Sequence, residues 1–133
     1  MPREEALSEP SFTIDHVQIT VPRALEAETR RFYGEGLGFP EISKPPELAR
    51  NGGMWYRLGA VQLHVSLEDI EVAANASSRR HIAYDVADLD AVERALRARG
   101  LAVIADQQPS AGFRRFYLRD PGGNRIEISQ KTA

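Results

Sequence analysis

From Phe12 to Val21 (FTIDHVQITV) apolar and polar residues alternate with a period of two. This predicts a half-buried strand with Val17, Ile19 and Val21 on one face, ended by Pro22. From Ala24 to Tyr33 the spacing changes to that of an amphipathic helix: Leu25, Phe32 and Tyr33 share a side, and Gly34, Gly36 and Gly38 stop it. The proline-rich and glycine-rich stretch 40–53 allows one weak strand near Glu41 to Lys44 and then a loop. MWYRL (54–58) and VQLHVSL (61–67) are separated only by Gly59 and Ala60, the spacing of an antiparallel hairpin. Residues 68–80 are polar and aperiodic, as in a linker. The same order then returns. HIAYDV (81–86) alternates, Asp88 is placed to cap a helix, and Leu89, Val92 and Leu96 keep helical spacing from Leu89 to Arg99 until Gly100. LAVIAD (101–106), FRRFYLR (113–119) and NRIEIS (124–129) read as strands, the last two joined by the turn Asp120-Pro121-Gly122-Gly123.

The halves therefore share one parts list: strand, helix, three strands. His16 and His81 lie 65 positions apart and His64 and Glu127 lie 63 apart, so the equivalence holds to within a two-residue slip. This predicts a charged tail at 1–10, a first βαβββ module at 11–67, a linker at 68–80 and a second module at 81–133, all in one structural domain. A chain of 133 residues suits that plan, being long enough for one core but too short for two. The net charge of −2 gives no electrostatic reason to expect nucleic acid or an anionic membrane surface, leaving a small molecule as the expected partner. No apolar run approaches bilayer length and the first ten residues lack the apolar core of a signal peptide, so a cytoplasmic protein is expected. Cysteine is absent, so any metal must be held by imidazole and carboxylate.

Strand parity brings those groups forward. Successive side chains of a strand point to opposite sheet faces, and a site must lie on the face away from the helices. His16 lies with Gln18 and Thr20, His64 with Gln62 and Ser66, His81 with Ala83 and Asp85, and Glu127 with Arg125 and Ser129, each opposite an apolar set. The three histidines are all that the chain has. Imidazoles kept at equivalent positions on the polar side of two repeats point to one divalent metal ion, with His16, His64, His81 and Glu127 as candidate ligands. Arg115, Tyr117 and Arg119 share parity on their strand and are candidates to bind a substrate carboxylate or phosphate, the alternative being solvated edge charges. Trp55 and Tyr56 face opposite ways, so one lines the pocket while the other enters the core. The Asp120 turn, Asp85 and Asp88 are assigned structural roles.

The segments DHVQITV, QLHV, RRHIAYDVADLDAV and above all FYLRDPGGNRIEIS resemble the vicinal oxygen chelate superfamily, which includes the glyoxalase, bleomycin-resistance and extradiol-dioxygenase proteins. The resemblance covers about residues 12–130. It implies an α+β fold in which two tandem βαβββ modules form a cupped, incompletely closed mixed β-sheet with helices outside. It further implies a bound divalent metal ion (Zn, Ni, Mn, Fe or Mg, not distinguished) and a homodimer whose modules pair across subunits. By position, His16 matches the first-strand ligand, His64 the fourth-strand position, His81 the first ligand of the second module and Glu127 the last-strand carboxylate. Glyoxalase-like members usually carry an acidic residue where this chain has His64. Dioxygenase and fosfomycin-resistance members are similar in using two histidines and a glutamate, matching His16, His81 and Glu127 and leaving His64 as a substrate-facing acid or base. The expectation is a glyoxalase-like lyase or isomerase that stabilises an enediolate-type intermediate, with Glu127 or His64 as the catalytic proton carrier. The alternatives are an extradiol-type dioxygenase using His16, His81 and Glu127, or a small-molecule binding or resistance protein without turnover.

Overall fold

The computed structural model describes residues 11–131, so the expected tail at 1–10 lies outside the described residues. The first module runs β1 (His16–Pro22), a helical segment containing α1 (Glu26–Arg30), β2 (Glu41–Ile42), the one-turn α2 (Pro46–Ala49), β3 (Met54–Leu58) and β4 (Val61–Glu68). Its sheet has the order β1-β4-β3-β2, with β1 parallel to β4 and the rest antiparallel. After a connection holding α3 (Val72–Ala76), the second module repeats the plan as β5 (His81–Asp85), α4 (Leu89–Ala98), β6 (Ile104–Ala105), β7 (Phe113–Arg119) and β8 (Arg125–Lys131), in the order β5-β8-β7-β6. Two open, mixed, four-stranded sheets with the principal helices on one face make the expected α+β two-module fold.

Register makes the repeat quantitative. His16 pairs with Gln62 and Gln18 with His64 in the first module, while His81 pairs with Arg125 and Ala83 with Glu127 in the second. Trp55 is the β3 neighbour of His64 and Tyr117 the β7 neighbour of Glu127. The two-residue slip between His16/His81 and His64/Glu127 is thus absorbed outside the sheets, in the connections.

Several boundaries move for local reasons. β1 begins at His16, not Phe12, because its partner β4 starts at the tight Gly59–Ala60 turn and offers no backbone beyond the bond from Gln62 N to Asp15 O. Phe12 and Ile14 are left exposed. The first helix does not stop at Gly34. It opens with a 3₁₀ turn (Arg23–Leu25) and widens into a π-helical turn that carries it on to Gly36 (Arg31–Gly36). The strand expected over 101–106 contracts to Ile104–Ala105, which pair only with Tyr117 and Phe116. The segment read as a plain linker contains α3, whose Asn75 is buried.

The helix-covered faces share one core, in which Tyr33, Met54, Tyr56, Leu63 and Val65 of the first module join Leu89, Leu96, Phe116, Leu118, Ile126 and Ile128 of the second. Burying side chains of this size contributes roughly 1.5–3 kcal/mol each before entropy is counted. α4 begins as anticipated, with Asp88 Oδ1 accepting from Ala91 N at 3.0 Å.

A polar bracket closes the junction between modules. The Tyr33 hydroxyl donates to Asp120 Oδ2 at 2.7 Å, Asn75 Nδ2 donates to the carbonyls of Thr20 and Gly122, and Asn124 Nδ2 donates to Thr20 O at 3.0 Å. At Gly122 an added Cβ would lie 2.6 Å from Val21 Cγ1, so only glycine lets the turn seat on β1. The turn Asp120–Gly123, expected only to reverse the chain, also fastens one module to the other.

Candidate functional site

The open faces carry the candidate residues. On the first, His64 is buried and lies flat between two rings: Trp55 at 3.8 Å between centroids and 1° between planes, and His16 at 4.1 Å and 12°. His64 Nε2 is 2.8 Å from Gln62 Oε1, and His16 Nδ1 is 2.8 Å from Asp15 Oδ2. Burial lowers the His64 pKa below the ordinary imidazole value, and the adjacent His16 lowers it further, so His64 is held neutral at pH 7. Trp55, one of the two residues left open by parity, is the ring on the site face. Tyr56 enters the core.

On the second, His81 Nε2 stands 3.2 Å from Glu127 Oε1. His81 Nδ1 is 2.8 Å from the carbonyl oxygen of Arg79 and so is the donor there, which fixes the ring and turns Nε2 toward the carboxylate. Glu127 is nearly buried and also lies 3.7 Å from Arg115 Nη1. The carboxylate is therefore flanked by an imidazole and a guanidinium on a face that is otherwise open.

The four candidate ligands thus come together in two pairs, His16 with His64 and His81 with Glu127. Among the described residues of one chain, no group of three or more His, Cys, Asp or Glu side chains is close enough to share an ion. The substrate candidates are also placed. Arg115 Nε donates to Asp106 Oδ2 at 3.0 Å, a bond that raises the guanidinium pKa further. The Asp106 carboxyl is held below its usual range, first by the backbone N–H of Gln108 and then by Arg115. Arg119 Nη1 donates to the carbonyls of Asn75, Ser78 and Gly123 at 3.1–3.4 Å. The Tyr117 ring supports the guanidinium of Arg125 at 4.1 Å and that of Arg115 at 5.5 Å.

Two cavities open on these faces. One of about 480 Å³ is lined by Trp55, Gln18, Ser66, Lys44, Arg23 and Arg50 among others. The other, of about 370 Å³, has four arginines (Arg79, Arg115, Arg119, Arg125) and one aspartate (Asp106) in its wall. Arg79 and Arg125 are absent from the sequence-derived candidates. Arg125 shares parity with Glu127 and was legible, whereas Arg79 precedes β5 and no strand period reaches it.

Residues 13–128 match the family model described as Glyoxalase/Bleomycin resistance protein/Dioxygenase superfamily. Among solved structures, a glyoxalase family protein from Bacillus anthracis shares 38% identity at a TM-score of 0.82, over 93% of this chain and 98% of that one. TnmS3, an antibiotic binding protein from Streptomyces sp. CB03234, shares 20% identity at a TM-score of 0.72, over 93% and 99% of the two chains. A lactoylglutathione lyase from Agrobacterium tumefaciens shares 17% at 0.67, over 92% and 95%. The last two are likenesses of fold alone. No curated protein matches this chain.

Proposed function

Because this chain belongs to the Glyoxalase/Bleomycin resistance protein/Dioxygenase superfamily, we propose that it is a glyoxalase-like, metal-dependent enzyme of the lyase or isomerase class, acting on a small substrate with adjacent oxygen donors. The observation that carries the proposal is the His81–Glu127 pair. One imidazole nitrogen is spent on a backbone carbonyl, the other faces a nearly buried carboxylate at 3.2 Å, and both stand on an open sheet face.

The donor set suits a divalent ion, with neutral imidazoles and one carboxylate among the ligands and no thiolate. Each chain supplies two half-sets. A homodimer in which His16 and His64 of one copy face His81 and Glu127 of a second would complete them, by the two-fold rule that each half meets its complement. When bound, the ion supplies Lewis-acid polarisation of the substrate oxygens. The chain's own residues do the rest. In this reading Glu127 takes a proton from the carbon beside those oxygens and returns it to the neighbour, a role supported by Arg115 at 3.7 Å, which steadies its charge. Neutral His64, with Nε2 engaged by Gln62, offers Nδ1 as a ligand or a second proton carrier.

Elemental analysis of protein purified without chelators tests the reading. About one divalent ion per chain is expected, and His81→Ala and Glu127→Gln should each lose it. The proposal fails if the wild type takes up none of Zn, Ni, Mn, Fe(II) or Mg, or if both variants retain the full content.

A second reading, ligand binding without turnover, draws on the ring stack Trp55–His64–His16, a surface that can extend by one more flat ring. Under it, a ligand should raise the Tm of His81→Ala as much as that of wild type.

A further inference from the structure

We propose that the open face of the second module carries an anion receptor built from Arg79 and Arg125, so that the ligand of this protein bears a carboxylate, phosphonate or phosphate. The inference rests on the reading of this face as the ligand surface, but needs neither the metal nor turnover.

The argument starts from the repeat. At the position where the first module has Gln62, the second has Arg125. The fold therefore asks only for a polar side chain there, and the positive charge is an addition. Arg125 is also the direct cross-strand partner of Arg119. Like charges directly opposite on a sheet are destabilising, and among the described residues neither arginine of this pair forms an ion pair with a carboxylate. Arg119 is satisfied by three backbone carbonyls. The acids of this face are taken: Asp106 pairs with Arg115, and Glu127 with His81 and Arg115. Among the described residues Arg125 forms no ion pair. Its guanidinium rests on the Tyr117 ring at 4.1 Å, which orients the plane and leaves the N–H edges for an oxyanion. Arg79, exposed at the rim of the same 370 Å³ cavity, has no acidic partner among the described residues.

Four guanidinium groups against one carboxylate in the wall give this cavity the opposite sign to the chain as a whole. An anion seated between Arg125 and Arg79 would supply the missing counter-charge. A ligand so held would extend along β8 toward Glu127, two residues on and on the same face.

Calorimetric titration of the full chain, freed of metal and dialysed into low salt, with benzoate, phenylphosphonate and neutral benzamide tests this. The expected result is binding of the two anions and not of benzamide, weakened by added salt. Arg125→Ala and Arg79→Ala should each weaken it about tenfold or more, and Arg125→Lys should recover only part, since a point charge lacks the guanidinium fork. Glu127→Gln should bind the anions as tightly as wild type or more so. Equal binding of benzamide, undetectable anion binding by wild type, or unchanged affinity in the Arg79→Ala/Arg125→Ala double variant would overturn the proposal. The metal reading is separable from it. If His81→Ala and Glu127→Gln both keep the full ion content while Arg125→Ala loses the anion, the enzyme proposal falls and the receptor stands.

Discussion

Tyr33 and Tyr56 are adjacent in the core, with ring centroids 5.8 Å apart, yet their hydroxyls have opposite fates. That of Tyr56 is buried with no hydrogen-bond partner among the described residues, and burial pushes its pKa up to about 12. An unpaired buried hydroxyl has lost its water for nothing, so Tyr56→Phe should be neutral or stabilising by about 1 kcal/mol in urea unfolding. Destabilisation beyond that would mean the hydroxyl has a partner after all. The Tyr33 hydroxyl instead donates to Asp120, which burial raises above the ordinary carboxylate value although this bond and those from Asn124 pull it down. A carboxyl with a raised folded-state pKa contributes stability that is full below the unfolded value and is lost as pH rises through the folded one. Tyr33→Phe removes a donor to the charged form and raises that pKa further. It should cost about 1.5–3 kcal/mol where the carboxyl is charged, with the gap narrowing as pH falls through its raised pKa, because a neutral carboxyl loses only about 0.5–1.5 kcal/mol of bond. A gap that stays constant as pH falls from 7 through the carboxylate range would show that the bond does not depend on the charge of Asp120.

Elements carry the repeat, and most of it is legible in the sequence because strands advertise themselves by parity. The ranges 54–58 and 113–119 stand as expected, and the equivalence of His64 with Glu127 follows from the repeat offset together with their shared parity. What parity does not reveal is where a strand runs out of partner. Phe12 and Ile14 continue the pattern of β1 but meet no backbone, and Leu101 and Val103 pack on the core without a strand partner. The bracket was invisible for a different reason. Asn75 acts across 55 residues on Thr20 O and 47 on Gly122 O, and no local period encodes such a reach. Its weight is testable at Gly122, where the backbone is not left-handed and only space is at issue. A methyl group there would meet β1 at Val21, so Gly122→Ala should destabilise by about 1–3 kcal/mol. The more informative outcome would be a change in the unfolding m-value, since a broken bracket would let the two modules unfold separately. A Gly122→Ala protein with wild-type stability would mean that β1 and the turn can part without cost.

At the scale of the whole molecule, the proposed metal site turns on how the two pairs of candidate ligands meet. The helix-covered faces are spent on one another in a single core, and the His16–His64 and His81–Glu127 pairs remain on open faces without forming one group. A two-fold dimer resolves this if each site takes one pair from either subunit, and mixing distinguishes it from a site within one chain. A protein carrying His16→Ala and His64→Ala lacks the first half-site, and one carrying His81→Ala and Glu127→Gln lacks the second. Neither should hold the metal alone. Unfolded together in equal amounts and refolded, they should form heterodimers as about half of all dimers, each with one intact site out of two, restoring about a quarter of the wild-type metal content. Sites closed within a chain would restore none, because every chain in the mixture lacks one half. Recovery that falls on dilution in step with dissociation of the dimer, followed by light scattering, would tie the ion to the assembly and not to either chain.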